Sequence, residues 1–138
     1  MSANIRTALS GTNLPILAAG LSGGLGVVLG ALGSHAFLEL MDTNQFKAYN
    51  VANQYHLVHS MAMLVVAAIA PRVTEPAATY FRRAYLLFAA GTVLMSGSRY
   101  VHCTVHKPDF LSKFPAVGGA MLAAGWVCVA LGGSTLKE

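Results

Sequence analysis

Long apolar stretches alternate with short polar connections along this chain. The apolar stretches cover about 15–36, 51–70, 84–105 and 114–133, and the first of them has no charged side chain. At about 1.5 Å rise per residue, a helix of about 20 residues crosses the roughly 30 Å hydrocarbon core of a membrane. The pattern therefore predicts four transmembrane helices.

Short connections require successive spans to run in opposite directions. We therefore predict an all-α membrane protein, a four-transmembrane-helix antiparallel bundle, with a single domain over residues 14–133. Residues 1–13 form an N-terminal tail and residues 134–138 a C-terminal tail.

Signals for helix ends surround the second span. Asp42 or Thr43 can cap a helix there, and Gln45 can complete a capping box. Pro71 ends the helix because proline cannot continue the hydrogen-bond ladder. This helix is expected to begin at the membrane interface, before the span itself.

Glycines recur at helical spacing in the first and fourth spans. In lipid, small residues let two helix backbones approach closely, and Gly20-xxx-Gly24 and Gly26-xxx-Gly30 fit this pattern. In the fourth span, glycines repeat every seven residues. We predict helix packing at Gly23, Gly26, Gly30, Gly33, Gly118, Gly119, Gly125 and Trp126.

The composition agrees with a membrane protein and excludes several partners. Of 138 residues, 55% are hydrophobic and 10% charged, and the mean hydropathy is +0.58, too apolar for a soluble domain of this size. No basic run exceeds Arg82-Arg83, so nucleic acid is not expected. A soluble small-molecule substrate is not expected either. Anionic lipids are the expected partners of Arg82 and Arg83.

Cys103 and Cys128 lie on different spans, and no disulfide is expected.

The distribution of cations predicts an orientation. The side of the termini carries Arg6, Arg72, Arg82, Arg83 and Lys137, and the opposite side carries Lys47, Lys107 and Lys113. By the positive-inside rule, both termini face the cytoplasm or the mitochondrial matrix. The first 13 residues contain Arg6 and no acid, a composition mildly like a mitochondrial leader.

All histidines map to one leaflet: His35, His56, His59, His102 and His106. The first interpretation is structural, because histidines near an interface hydrogen-bond as ordinary helix contacts. The alternatives are a haem or metal site using His35, His59 and His102, a proton relay or quinone contact, and lipid binding. No metal-ligand motif is present, so no metal is predicted.

Arg99 lies about 15 residues into the third span, within reach of the far interface. It is expected to contact a lipid phosphate, or to form an ion pair with Glu39, Asp42 or a neighbouring subunit. His56 and Tyr100 are further candidates for lipid or subunit contact.

Four segments resemble the transmembrane protein 256 family, small four-helix membrane proteins of unknown function. They are GALGSHA at 30–36, ANQYHLVHSMAML at 52–64, Ser96-Gly-Ser98 with Tyr100, and PAVGG at 115–119 followed by Gly125-Trp126. The positions of His35, His59, Gly118, Gly119 and Trp126 match the family pattern, whereas Arg99 departs from it. The resemblance implies four helices and, for eukaryotic members, residence in the mitochondrial inner membrane. It implies no established activity.

No nucleophile elbow, phosphate loop or pair of membrane carboxylates is present, so no enzyme is predicted. We predict a non-catalytic accessory subunit of a mitochondrial inner-membrane assembly, such as a respiratory complex or ATP synthase, or of a bacterial inner membrane in a prokaryote. No cofactor is predicted, but a bound phospholipid such as cardiolipin is expected. The alternatives are a small redox or cofactor-binding membrane protein that uses the histidines, and a small transporter or channel.

Overall fold

A computed structural model describes residues 13–105 and 109–136. These residues are nearly all helical and contain no strand. The α-helices are α1 (Leu14–Ser34), α2 (Thr43–Ile69), α3 (Ala77–Thr92), α4 (Ser98–Thr104) and α5 (Phe114–Ser134). A π-helical segment, Val93–Gly97, joins α3 to α4, and short 3-10 turns cover Leu38–Leu40, Ala70–Arg72 and Asp109–Lys113.

Some sequence predictions fall on residues outside these ranges. They concern most of the two tails, with Arg6 and Lys137, together with His106 and Lys107 in the third connection.

The predicted capping box at α2 is confirmed. The carboxylate of Asp42 accepts hydrogen bonds from the backbone N–H groups of Asn44 and Gln45, each at 2.9 Å. The side chain of Gln45 accepts in return from the backbone N–H of Asp42, also at 2.9 Å. The helix therefore begins at Thr43 and ends just before Pro71, which lies in a 3-10 turn.

Three helices in the described ranges are long and apolar enough to cross a membrane: Leu14–Ser34, Thr43–Arg72 and Leu111–Ser134. The prediction of a third uninterrupted span at 84–105 needs correction. Its helix already begins at Ala77, so it includes Arg82 and Arg83, and the π-helical segment divides it. The four helical segments of the predicted all-α bundle are nevertheless present.

Successive long helices pack side by side, and they run antiparallel as predicted. The main helix pairs are α1 with α2, α2 with α3, and α3 with α5. Along the first pair, Gly23 lies against Ser60 while Gly33 lies against Tyr49, so the two helices run in opposite directions. Helices α2 and α3 therefore form the centre, and α1 and α5 flank them.

The glycines of α1 leave space for large side chains of α2. A Cβ added at Gly26 would lie 2.8 Å from Leu57, and one at Gly30 would lie 2.8 Å from the side-chain oxygen of Asn53. A Cβ at Gly33 would collide with the ring of Tyr49, which is fully buried. Here the absence of a side chain is what allows the two helices to approach.

The glycines spaced seven residues apart in α5 likewise leave space for α3. A Cβ at Gly125 would lie 2.6 Å from the ring of Phe88. A Cβ at Gly118 would meet the backbone nitrogen of Met95 and, at 2.8 Å, the carbonyl oxygen of Gly91. The backbone of the π-helical segment thus lies directly on the glycine surface of α5.

Three other glycines make no close contact with a neighbouring helix among the described residues. An added Cβ at Gly119, Gly20 or Gly24 would meet nothing within 4 Å in the described residues. The packing role predicted for Gly119 within the bundle is therefore wrong, because a residue next to Gly118 lies about 100° around the helix from it. The outer face of α1, with Gly20 and Gly24, is open.

Apolar side chains cover the outer faces of the flanking helices. Leu21 on α1 is 67% exposed and Val127 on α5 is 58% exposed. In water such a surface would be unfavourable. The same apolar surface is favourable when it contacts the hydrocarbon core of a membrane.

Candidate functional site

A buried polar network joins α1, α2 and α4. It contains Ser22 from α1, Asn53, His56 and Ser60 from α2, and Tyr100 from α4. The α2 residues recur every three or four positions, so they share the helix face that points at α1 and α4. His56, Ser60 and Tyr100 are each less than a tenth exposed.

The hydrogen-bond partners determine which group donates and which accepts in each pair. The hydroxyl of Ser60 donates to the carbonyl oxygen of His56 at 2.9 Å. Its oxygen must therefore accept from the hydroxyl of Ser22, 2.7 Å away. The oxygen of Ser22 then accepts from Nε2–H of His56 at 3.1 Å, and Nδ1 of His56 accepts from the hydroxyl of Tyr100 at 3.2 Å.

Asn53 begins this chain of hydrogen bonds and ties it to α1. Its amide group donates to the hydroxyl oxygen of Tyr100 at 3.1 Å and to the carbonyl oxygen of Gly26 at 2.7 Å. The hydroxyl of Tyr49 donates to the carbonyl oxygen of Leu29 at 2.7 Å. The network is satisfied with His56 neutral, so it orients three helices without a free acid or base.

A second buried histidine, His59, contacts α5. Its Nε2 accepts a hydrogen bond from the indole Nε1–H of Trp126 at 3.2 Å, so its Nδ1 carries the proton and donates to the carbonyl oxygen of Tyr55 at 2.7 Å. The rings of Phe88 and Trp126 lie 5.5 and 6.1 Å from the imidazole, centre to centre. Both ring nitrogens are therefore occupied.

The three predicted cofactor ligands are not brought together. His35 is exposed at the end of α1, His59 is buried with both nitrogens bonded, and His102 is half-buried on α4. Within the described residues, no group of three His, Cys, Asp or Glu side chains could hold a metal ion. The sequence prediction that His35, His59 and His102 share one cofactor site is therefore not supported by the fold.

His56 and Tyr100 also need correction as candidates for lipid or subunit contact. They are 6% and 9% exposed and bond to each other inside the bundle. The sequence pattern placed polar groups at this depth, but it missed Ser22. The signal for it was present, since Ser22 lies one helical turn before Gly26 on the packed face of α1.

Arg99 lies half-buried in a groove of about 260 Å³ whose lining also includes Lys47, Val51 and Pro115. Among the described residues, no ion pair joins it to Glu39 or Asp42. The groove therefore presents two cations beside apolar side chains.

Arg82 and Arg83 lie exposed at the opposite end, in the first turns of α3. Arg82 forms an ion pair with Glu75 and donates to the hydroxyl oxygen of Thr79 at 3.0 Å. Hydrogen bonds from Thr79 and then from Arg82 lower the pKa of the Glu75 carboxyl below its ordinary value. These contacts thus hold the exposed Arg82 at the start of α3.

The fold and its buried polar contacts define an integral membrane protein of four helical segments. The chain belongs to the family described as Protein of unknown function (DUF423), whose profile matches residues 29–119.

Relatives are found in bacteria and yeast. UPF0382 inner membrane protein YgdD of Escherichia coli (strain K12) is 30% identical over 123 residues, 89% of this chain and 91% of the relative. UPF0382 membrane protein YwdK of Bacillus subtilis (strain 168) is 29% identical over 105 residues, 76% and 83% of the two chains. UPF0382 membrane protein C1782.12c of Schizosaccharomyces pombe (strain 972) is 30% identical over 113 residues, 78% and 91%.

No solved structure matches the chain. The family is one of membrane proteins of unknown function, which is compatible with the resemblance to transmembrane protein 256; that narrower likeness stays a prediction.

Proposed function

We propose that this protein is a non-catalytic subunit that packs against other membrane proteins in a larger inner-membrane assembly. The supporting observation is the outer face of α1. Gly20 and Gly24 are exposed there, four residues apart, and no atom of another described segment lies within 4 Å of a Cβ at either position. Each glycine costs the helix about 1 kcal/mol relative to alanine. A partner helix packed on this small-xxx-small ridge offsets that cost.

The polar network supports a scaffold rather than a catalyst. The hydroxyl protons of Ser22, Ser60 and Tyr100 are donated to groups inside the bundle, and His56 is neutral. Such a network holds α1, α2 and α4 in one arrangement. The outer face of α1 is thereby presented to a partner as a rigid surface.

We also propose an anionic phospholipid, such as cardiolipin, at the groove of Arg99. The ammonium of Lys47 and the guanidinium of Arg99 suit a lipid phosphate, and Val51 and Pro115 offer apolar surface to an acyl chain. This lipid would contact α2, α4 and α5 together.

The proposed membrane is the inner membrane of a bacterium, as the name of the Escherichia coli relative says for that protein, or of a mitochondrion in a eukaryote. The termini would face the cytoplasm or matrix, following the cation distribution. In a mitochondrion, a respiratory complex or ATP synthase is the proposed host.

Native electrophoresis of membranes solubilised in a mild detergent tests this function. We expect the wild-type chain in a band of much higher mass than a monomer. Leucines at Gly20 and Gly24 should release it from that band, whereas leucines at the exposed Ala120 and Ala124 of α5 should not. A wild-type protein that migrates only as a monomer, or a Gly20/Gly24 variant that stays in the complex, contradicts the proposal.

A further inference from the structure

A cavity of about 330 Å³ lies between α1, α2 and the third helical segment, which consists of α3, the π-helical segment and α4. Leu25 and Leu29 line it from α1, Met63 from α2, and Ala89 and Val93 from the third segment. Its size and mostly apolar lining are typical of small-molecule sites. Part of its wall is the π-helical segment, a feature frequent at functional sites.

The polar groups of the wall are mostly hydrogen-bond acceptors. Ser22, Ser96 and Tyr100 line the cavity, but their hydroxyl protons are already donated. Ser96 donates to the carbonyl oxygen of Ala52 at 2.8 Å, and the other two donate within the network. Each serine oxygen retains an unused lone pair, because a hydroxyl can accept two hydrogen bonds.

Thr92 is the exception in this wall. It is 6% exposed, and its hydroxyl has no hydrogen-bond partner among the described residues. A buried hydroxyl without a partner is costly. This hydroxyl therefore still has a proton to donate to a ligand in the cavity.

The wall carries no formal charge. None of the described residues that line the cavity is Asp, Glu, Lys or Arg, and His56 accepts at Nδ1 as a neutral ring. A charged head group would be buried without a counter-ion there, which is unfavourable. The ligand must therefore be neutral.

We propose that this cavity binds an uncharged, lipid-soluble molecule with one hydroxyl group, an alcohol or a phenol. The ligand hydroxyl donates to a free lone pair of Ser96 or Ser22 and accepts from Thr92, while its apolar body fills the space beside Leu25 and Met63. A carbonyl compound satisfies Thr92 alone, because it has no proton for the serine oxygens. The site is therefore selective for a hydroxyl over a carbonyl or an ether.

The test uses three probes of similar shape: 2,6-diisopropylphenol, its methyl ether and 1,3-diisopropylbenzene. Binding to the purified full-length protein in lipid nanodiscs is measured by NMR, from the methyl signals of Leu25 and Met63. Empty nanodiscs correct for partition into lipid. We expect the phenol to bind about fivefold or more tightly than the ether, which cannot donate to a serine oxygen, and still more tightly than the hydrocarbon, which forms neither hydrogen bond. Equal affinity for the three probes, or no saturable binding, overturns the proposal.

Variants separate this role from a purely structural one. Thr92→Val should weaken phenol binding about fivefold and leave hydrocarbon binding unchanged. It should also raise the melting temperature of the ligand-free protein, because a buried hydroxyl without a partner is removed. Ala89→Phe should fill the cavity and abolish the binding of all three probes. Thr135→Val, at the end of α5, is the matched control and should bind the phenol as the wild type does.

Two results contradict the site. One is phenol binding unchanged in Thr92→Val, and the other is binding retained in Ala89→Phe. If Thr92→Val does not fold, the double variant Ser22→Ala and Ser96→Ala replaces it. This variant removes both serine acceptors, and an unchanged preference for phenol over ether would count against the site.

Discussion

The indole Nε1–H of Trp126 donates a hydrogen bond to Nε2 of His59 at 3.2 Å, across the contact between α5 and α2. Trp126 is 48% exposed, whereas His59 is 4% exposed. One partner thus faces lipid while the other lies inside the bundle. This hydrogen bond fixes the neutral Nδ1–H tautomer of His59, because an acceptor nitrogen cannot carry a proton.

Replacement of Trp126 by phenylalanine should destabilise the protein by about 1 kcal/mol, the size of an interhelical hydrogen bond in a membrane. The change leaves Nε2 of His59 without a donor in a buried position. The free energy of unfolding in detergent measures the loss, and nitrogen NMR reports the tautomer of His59. Val127→Ala, at an exposed neighbour, is the control. A wild-type His59 protonated at Nε2 would contradict the assignment.

Adjacent glycines of α5 should respond in opposite ways to alanine. Gly118→Ala forces a methyl group onto the backbone of Met95 and should cost about 1–3 kcal/mol, since the backbone cannot move aside as a side chain can. Gly119→Ala places its methyl group in open space and should not destabilise the monomer. Thermal unfolding of the two variants compares them directly, and equal melting temperatures would contradict the packing described.

Tyr100→Phe should destabilise the bundle because it removes the hydroxyl between Asn53 and His56. The expected cost is about 1 kcal/mol. Tyr55→Phe removes a hydroxyl from a tyrosine that is 42% exposed and serves as the control. Unfolding in detergent provides the measurement. The network would lose its assigned role if both variants melted alike.

The connection before α3 should contribute stability that depends on pH. Hydrogen bonds from Thr79 and Arg82 lower the pKa of Glu75, so the contribution is present above the unfolded-state pKa and is lost as the pH falls through the folded-state pKa. Carbon NMR of the Glu75 carboxyl should give a pKa below the ordinary value of a glutamate. Thr79→Ala removes the hydroxyl but keeps the backbone N–H that donates to Glu75 at 3.0 Å, so it should raise the Glu75 pKa in part. An unchanged value would exclude the hydroxyl as a cause.

Loss of Lys47 and Arg99 should reduce the anionic phospholipid that purifies with the protein. Glutamine at both positions removes two cations from the groove and retains most of the side-chain bulk. Mass spectrometry of extracted lipid, per mole of protein, gives the measurement. Arg83→Gln, an exposed cation outside the groove, is the control. If both proteins retain equal amounts of anionic lipid, the groove is not the binding site.

Helix positions and glycine packing were largely predictable from local pattern. The capping box of Asp42 and Gln45 depends on residues three apart. The seven-residue spacing of Gly118 and Gly125 likewise identifies one helix face before any partner is known. By contrast, the start of α3 at Ala77 was missed, because Arg82 and Arg83 in its first turns obscure the apolar signal.

The sequence alone determined that this is a helical membrane protein with close-packed glycine faces, because apolar length and glycine spacing are properties of single segments. Only the tertiary structure determined the hydrogen-bond partners of the histidines. Ser22 and Ser60 are 38 positions apart, and Trp126 and His59 are 67 positions apart. Whether an imidazole nitrogen donates, accepts or is free depends on groups that folding alone brings within 3.2 Å.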